Sequence, residues 1–310
     1  MAELIFEYRG GVLENVRPGR ICVTGEQGEV LYSVGDPAAM TYFRSTSKPL
    51  QALPVIIRGL DVSYGLAEKE LAVIASSHKG EPMHLETVFG LLEKTGFSES
   101  DMIVSASHNC SGKHIGTMLL QRYLTGSCEG YWEPDSAAQK EILEIISCMT
   151  SVPEQEIAIG VDGCGVPVFA VPQKNIALSY MRLVCPDRIG RPEVRRAAEK
   201  ITRCMNENPL MIAGTGSLCS LLNEDQNIIA KSGAQGIYAF GLKKERLGVA
   251  IKNEDGSERW AVTVAEILRQ LGYDNRETIE KLERHTPTDI FNDINIKAGV
   301  IRPAFKLQKP

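Results

Sequence analysis

Short apolar runs separated by turn residues mark the beginning of the chain. Residues 4–8, 21–24 and 30–32 are rich in apolar or β-prone side chains, and glycine- or proline-containing segments lie between them. Such runs between turn residues are typical of strands. The pattern therefore predicts a β-meander within residues 1–40 whose strands join a central sheet.

Apolar residues at helical spacing begin near Ser45. Leu50, Leu53 and Ile57 recur along one face, and Gly59 ends the run. The same criterion predicts further helices at residues 68–76, 84–94, 112–124, 136–149, 192–206 and 261–271.

Predicted strands come from both halves of the chain. We expect short strands at 102–107 and 157–161, the second of them buried, and two or three strands within 228–252, whereas the last 25 residues are weakly patterned. A sheet built from early and late strands, with helices between them, indicates an α/β sandwich in a single domain spanning residues 1–310.

Composition narrows the functional classes. The chain has 310 residues, of which 43% are hydrophobic, and a net charge of −5. Without a basic stripe, nucleic-acid binding is disfavoured. The N-terminus lacks the basic and apolar regions of a signal peptide, and no apolar run approaches the roughly 20 residues of a membrane span. We therefore expect a cytoplasmic protein that does not bind membranes and whose eight scattered cysteines are reduced.

The segment Ser45-Thr-Ser-Lys48 is a candidate for nucleophilic chemistry. Residues three apart share a helix face, so the Ser45 hydroxyl and the Lys48 amine can meet. A lysine that burial keeps neutral can act as the base that a serine nucleophile needs. Because S-x-x-K is short enough to occur by chance, the segment can also be an ordinary capped helix start with a surface lysine.

Two later segments strengthen this interpretation. Ser77 lies in a polar cluster that ends a predicted helix, and Lys231-Ser-Gly233 lies on a late predicted strand. This chain order is that of serine β-lactamases and penicillin-binding proteins. A strict S-x-N or K-T-G motif is missing, and the alternative for Lys231 is a solvated lysine on a strand edge.

A third group combines cysteine and lysine. Cys110 and Lys113 lie in the polar segment 108–114, and Asp162 and Cys164 follow the predicted strand 157–161. Two thiolates and a third donor can bind zinc. The spacing matches no standard zinc site, and a lysine ligand must first lose a proton. Two buried cysteines that behave as small apolar residues are the alternative.

Together these segments resemble the rhizobial-type (class 3) L-asparaginases. The matching motifs run in order from about residue 40 to 260. They are Arg44-Ser-Thr-Ser-Lys-Pro-Leu-Gln51, Ser76-Ser-His-Lys-Gly-Glu-Pro82, His108-Asn-Cys-Ser-Gly-Lys-His114, Gly160-Val-Asp-Gly-Cys-Gly-Val-Pro167, Met211-Ile-Ala-Gly-Thr-Gly216, Lys231-Ser-Gly-Ala-Gln-Gly236 and Gly248-Val-Ala-Ile-Lys252.

The resemblance implies a fold like that of the serine β-lactamases, a homodimer, and hydrolysis of L-asparagine to L-aspartate and ammonia. It implies two serine–lysine tandems, which fall on Ser45 with Lys48 and on Ser77 with Lys231. It also implies a zinc ion near the substrate with Cys110, Lys113 and Cys164 as ligands, and places His114 and Asp162 at the substrate or around the metal.

Several positions depart from the family pattern. A histidine common near residues 15–17 is missing, Gly216-Ser217 stands where many members have arginine or another charged residue, and Gln235 replaces a common glutamate. Lys252 competes with Lys231 for the second tandem. Two other functions therefore stay open, namely a serine hydrolase of another amide, peptide or lactam, and a non-catalytic thiol- or metal-binding protein.

Overall fold

A large antiparallel sheet organises the molecule. The computed structural model describes residues 2–285 and 288–310. Within them, eight strands form this sheet, in the order β10-β11-β1-β2-β9-β8-β7 with β3 paired to β2. Its strands are β1 (Ala2–Arg9), β2 (Val12–Thr24), β3 (Val30–Val34), β7 (Ile228–Ser232), β8 (Ile237–Leu242), β9 (Leu247–Asn253), β10 (Asp289–Phe291) and β11 (Lys297–Pro303). A three-stranded sheet, in the order β4-β6-β5, is built from β4 (Met40–Tyr42), β5 (Ala158–Val161) and β6 (Pro167–Pro172).

Helices pack against the large sheet, and those between residues 48 and 224 account for most of that part of the chain. They are α1 (Lys48–Gln51), α2 (Leu53–Ile57), α3 (Leu60–Ser63), α4 (Glu68–Ile74), α5 (Pro82–Thr95), α6 (Ser111–Thr125), α7 (Ala137–Thr150), α8 (Gln173–Val184), α9 (Pro192–Glu207), α10 (Pro209–Ala213), α11 (Leu218–Glu224), α12 (Trp260–Gln270) and α13 (Arg276–His285). No helix in the described residues is both long and apolar enough to cross a membrane.

Helix α8 packs directly on the centre of the sheet. It contacts β2, β8 and β9, and its buried face includes Ile176, Tyr180 and Leu183. A Cβ atom at Gly248 of β9 would lie 1.9 Å from the carbonyl oxygen of Ala177. Only glycine permits this close approach of helix to strand, which fixes the sheet against the helical layer that carries the site.

The mixed helix-and-sheet class is confirmed, and so are most of the predicted elements. The helices expected at 112–124 and 192–206 are α6 and α9, and the strands expected within 228–252 are β7, β8 and β9. The single run expected from Ser45 is instead a 3-10 turn, Arg44–Ser47, followed by two short helices, α1 and α2. Proline in the first turn of each short helix explains the division, because proline cannot donate to the preceding turn.

Two predicted strands need correction. Residues 102–107 form turns, because the hydroxyls of Ser105 and Ser107 bond to each other and the Ala106 N–H donates to the Glu99 carboxylate. The strand at 157–161 exists as β5 but is not buried, since Val161 is 73% exposed. It lies at the edge of the small sheet, whose central strand β6 is the buried one. Alternation alone does not distinguish an edge strand from a central one.

Candidate active site

The predicted serine residues share one cavity. Its volume is about 360 Å³, and its wall includes Ser45, Ser77, Asn109 and the segment 232–234 that follows β7. Lys48 and Lys231 are not part of this wall and are almost fully buried behind it, with exposures of 1% and 0%. Hydroxyl groups therefore face the space that a small molecule can occupy, and amines lie behind them.

A strained turn presents Ser45 to the cavity. Arg44 has a left-handed backbone with φ +48°, which costs a non-glycine residue about 1–2 kcal/mol. An ion pair between Arg44 Nη2 and Asp162 Oδ1, 2.8 Å apart, holds this residue in place. The neighbouring Ser47 hydroxyl donates back to the Arg44 carbonyl. Left-handed residues next to reactive groups are a recurrent feature of active sites.

Glycine lets the end of strand β7 reach this turn. A Cβ atom at Gly233 would lie 2.9 Å from the carbonyl oxygen of Phe43 and 3.1 Å from the Cβ of Arg44. The K-x-G spacing noted in the sequence thus has a structural cause. The residue after Ser232 must be small for the strand end and the serine turn to form one wall of the cavity.

Lys48 contacts Ser77 directly. Its Nζ donates to the carbonyl oxygens of Ser76 at 2.6 Å and Asn109 at 3.2 Å, and lies 2.9 Å from Ser77 Oγ. Burial, together with the charges of Lys231 and Lys113, lowers the pKa of Lys48 to about 8 against the opposing effect of Cys110. A substantial fraction of this amine is therefore neutral in mildly alkaline solution.

The three contacts of Lys48 suit a base. The carbonyls of Ser76 and Asn109 can only accept, so they take two N–H groups of the neutral amine. The remaining lone pair then faces Ser77, whose hydroxyl can donate to it. The hydroxyl that Lys48 touches is thus that of Ser77, although Ser45 was expected to be its partner from their spacing.

Lys231 is buried, so the alternative interpretation of this residue as a solvated lysine on a strand edge is wrong. It lies on β7, and its Nζ donates to the Ser232 carbonyl at 2.9 Å. Burial lowers the pKa of Lys231 as well. In the described residues it makes no hydrogen bond to Ser77. The competing lysine, Lys252, is half-buried on β9, where its amine donates to the carbonyls of Gln235 and Asn253, and it is not part of the cavity wall.

The cysteine–lysine group forms a second buried cluster beside Lys48. Cys110 precedes α6, Lys113 lies in its first turn, and Cys164 comes from the loop between β5 and β6. All three are less than one-tenth exposed, and Lys113 Nζ lies 3.0 Å from Cys164 Sγ. A Cβ atom at Gly112 would lie 2.2 Å from the Val73 carbonyl oxygen, so glycine is required where α6 meets α4.

Electrostatics favours one thiolate in this cluster. A hydrogen bond from the Cys164 thiol, together with the positive charges of Lys48 and Lys113, holds the pKa of Cys110 well below its ordinary value. The same hydrogen bond and burial raise the pKa of Cys164. Two sulphurs and an amine that converge out of solvent match the donor chemistry of a zinc ion with a cysteine-rich ligand set. Among the described residues, no group of three or more His, Cys, Asp or Glu side chains is arranged to bind a metal, and the nitrogen group beside the two sulphurs is the Lys113 amine.

The residues expected near substrate lie behind the cavity wall. Asp162 accepts from Arg44 and from the Gly163 N–H, so it ties the serine turn to the cysteine loop. His114 is fully buried, and its Nδ1 lies 2.8 Å from the Tyr131 hydroxyl. Its Nε2 has no partner in the described part of the chain. Burial, with the neighbouring Lys113 charge, lowers the pKa of His114 to about 2, so this imidazole is neutral.

Sequence reasoning missed several residues of the cavity. Asn109 lies within one of the matching motifs, but the acceptance of a Lys48 hydrogen bond by its carbonyl depends on backbone geometry. Lys79, Glu258 and Trp260 also form part of the wall. Lys79 is two residues after Ser77 in the same motif, and this position in the sequence could have identified it as a cavity residue. Glu258 and Trp260 follow β9, where no motif indicates a site.

Comparison with known proteins agrees with this geometry. The family model of L-asparaginase II matches residues 5–107 and 103–303, which is most of the chain. The protein is therefore an amidohydrolase. It belongs to the L-asparaginase II family. The search of curated proteins finds no match.

Solved structures with a similar arrangement of helices and strands include a β-lactamase from Mycobacterium bovis, with 14% identity over 81% of this chain and 94% of that one, at a TM-score of 0.47. An octameric penicillin-binding protein homologue from Pyrococcus abyssi matches with 15% identity over 88% of this chain and 76% of that one, at a TM-score of 0.45. The native form of a protein called Mglu matches with 15% identity over 83% of this chain and 66% of that one, at a TM-score of 0.49.

Proposed function

We propose that the protein hydrolyses L-asparagine to L-aspartate and ammonia through an acyl-enzyme on Ser45. The observation that carries the proposal is the Lys48 amine, which is buried, has its pKa lowered to about 8, and lies 2.9 Å from a hydroxyl of the cavity that Ser45 shares. Membership of the L-asparaginase II family supports an amide of an amino acid as the substrate class.

In the proposed reaction, protons move along hydroxyl groups to the buried amine. Ser45 attacks the side-chain amide carbon while its proton passes to Ser77 and the Ser77 proton passes to Lys48. The proton then returns to the amide nitrogen, the carbon–nitrogen bond breaks, and ammonia leaves an aspartyl ester on Ser45. Water hydrolyses that ester by the same relay. We assign Lys231 to Ser77 as a second pair that orients the relay, and the burial of this lysine supports that role.

The pH profile should report the lysine base. Lys48 is active only when neutral, and its pKa is lowered to about 8. We therefore expect kcat/KM to rise about tenfold per pH unit below this value and to level off above it, because a single deprotonation activates the enzyme. Initial rates of ammonia release between pH 6 and 9 measure the profile. A flat profile over this range is incompatible with a lysine base.

We also propose that Cys110, Lys113 and Cys164 bind a zinc ion. When bound, the ion would supply a positive charge that positions substrate, and the serine and lysine residues would still perform the chemistry. The thiols and the amine must lose protons to become ligands, so zinc affinity should fall at acid pH.

Cysteine substitutions separate a metal site from two buried thiols. We expect Cys110→Ser and Cys164→Ser to lose bound zinc and to raise KM more than they lower the melting temperature, because serine preserves the packing volume. Elemental analysis of protein purified without chelators measures the metal. The matched control is Cys128→Ser, which changes a half-buried thiol outside the cluster and should keep zinc and KM unchanged. Zinc-free wild-type protein, with KM unaltered in both cluster variants, would leave Cys110 and Cys164 as packing residues.

Two further properties come from the family resemblance. We propose that the protein is a homodimer and that it acts in the cytoplasm. Sedimentation of the purified protein and fractionation of the source cells test these two points.

A further inference from the structure

The charged side chains of the cavity wall are few and of opposite sign. Within the described part of the wall, Lys79 is the one lysine and Glu258 the one carboxylate. Lys79 comes from the segment just after Ser77, and Glu258 from the segment between β9 and α12. Neither belongs to the proposed relay or to the cysteine–lysine cluster, so the mechanism leaves both charges without a role.

The ammonium group of Lys79 is held at the cavity by a braced loop. Lys79 Nζ donates to the carbonyl of Thr215 at 3.1 Å. The Glu81 carboxylate accepts from the Thr215 N–H at 2.8 Å and from its hydroxyl at 3.0 Å. A single residue of the loop thus ties together two side chains of the segment that carries Ser77.

Backbone conformation keeps this loop close to the Ser77 segment. Gly214 and Gly216 have φ values of +86° and +65°, which favour glycine, and a Cβ atom at Gly214 would lie 2.6 Å from Glu81 Oε1. Gly216 and Ser217 also form part of the cavity wall. Since Gly216-Ser217 carries no charged side chain, Lys79 supplies the positive charge on this side of the cavity.

Glu258 is placed by an anchored neighbour. Trp260 is 6% exposed, and its indole N–H donates to the Gly236 carbonyl at 3.0 Å. The Glu258 carboxylate, two residues earlier, is exposed, and no hydrogen bond or salt bridge with another described residue engages it. This carboxylate is therefore available to a positively charged group of a ligand in the cavity.

We infer that Lys79 and Glu258 form the subsite for the charged head group of an α-amino acid, with Lys79 binding the α-carboxylate and Glu258 the α-ammonium group. This inference rests on the proposed function, because it names what selects the substrate at the same site. A zwitterion carries one charge of each sign on a single carbon, and the wall offers one partner of each sign. Complementary charges of this kind determine which ligand is accepted. Lys79 and Glu258 are thus specificity residues and take no part in proton transfer.

Two truncated amides test separately the contact of Lys79 with the α-carboxylate and the contact of Glu258 with the α-ammonium group. Succinamic acid keeps the carboxylate of L-asparagine and lacks its amino group, and 3-aminopropanamide keeps the amino group and lacks the carboxylate. We expect Lys79→Gln to raise KM about tenfold or more for L-asparagine and succinamic acid, but to change it little for 3-aminopropanamide. We expect Glu258→Gln to raise KM similarly for L-asparagine and 3-aminopropanamide, but not for succinamic acid.

The control variants are Lys140→Gln on α7 and Glu86→Gln on α5. They remove one exposed charge of each sign away from the cavity and should leave every KM unchanged. In the two subsite variants kcat should stay within about threefold of wild type, since the reacting groups are intact.

The outcomes distinguish the subsite from the activity. Wild-type protein that releases no ammonia from L-asparagine overturns the proposed function. An active wild type whose KM values are unaltered by Lys79→Gln and Glu258→Gln overturns the subsite alone. Equal KM increases for all three amides in each variant would also overturn it, because a disturbed cavity, and not a contact with one charged group, would then explain the change.

Discussion

Replacement of Ser45 by alanine should lower kcat for L-asparagine at least about a thousandfold, as removal of a nucleophile does in other serine hydrolases. The substitution removes the hydroxyl that the strained turn presents to the cavity. It leaves the Arg44–Asp162 ion pair and the burial of Lys48 in place. Steady-state rates of ammonia release at saturating L-asparagine give kcat, and thermal unfolding confirms that the variant is folded.

Ser47→Ala is the matched control, because it removes a hydroxyl from the same 3-10 turn. The Ser47 hydroxyl is buried and donates to the Arg44 carbonyl. Its loss should reduce stability by about 1 kcal/mol and change kcat only a few-fold. Near-normal turnover in Ser45→Ala would remove Ser45 from the mechanism. If Ser77→Ala alone then abolished turnover, the nucleophile would be the hydroxyl that Lys48 already contacts.

Lys48→Met should be comparably damaging, with kcat reduced by about three orders of magnitude or more. Methionine keeps most of the buried apolar volume and removes the amine that accepts the proton. The residual activity should also lose the rise of kcat/KM with pH, since the titrating group is gone. Rates from pH 6 to 9 in folded protein measure both effects.

Lys252→Met provides the comparison for this variant. Lys252 is half-buried and also donates to two backbone carbonyls, but it lies away from the cavity. The Lys252→Met variant should retain the wild-type kcat and the wild-type pH profile. If Lys252→Met abolished turnover while Lys48→Met kept it, the assignment of the base would be wrong.

Much of the fold was predictable because its elements depend on local patterns. Apolar residues at helical spacing defined α6 and α9, and strongly apolar runs with glycine turns defined the strands from β7 to β9. The strands β10 and β11 were not predicted. β11 pairs with β1, at the other end of the chain, and β10 pairs with β11, and no local pattern reveals a partner as distant as β1. The burial of β5 was overestimated for a related reason, since position within a sheet is a tertiary property.

The site was predictable to the extent that its motifs are short and contiguous. Cys110, Lys113 and Cys164 were grouped from the sequence, and the structure brings these side chains together. The contact between Lys48 and Ser77 was not foreseen, because it depends on the tertiary structure that brings the segment after α4 to the start of α1. Helical spacing related Lys48 to Ser45, but the carbonyls of Ser76 and Asn109 direct its amine to the other serine. Sequence spacing identifies which groups can meet, and packing decides which of them do.

The left-handed Arg44 illustrates the same limit. Its side chain is typical of a surface residue, and nothing in the local sequence marks a positive φ at this position. The conformation persists because Asp162, more than a hundred residues away in the chain, pairs with its guanidinium group. A strained residue next to a proposed nucleophile is thus a product of the tertiary structure.

The measurement that tests the central claim most directly is ammonia release by the pure protein from L-asparagine, with L-glutamine in parallel. We predict turnover of L-asparagine that saturates with concentration and a kcat/KM at least about tenfold higher than for L-glutamine, because one extra methylene moves the amide carbon away from Ser45 while the head group stays bound. Ammonia release no faster than in the protein-free control, or a preference for L-glutamine, would contradict the assignment of this protein as an L-asparagine amidohydrolase.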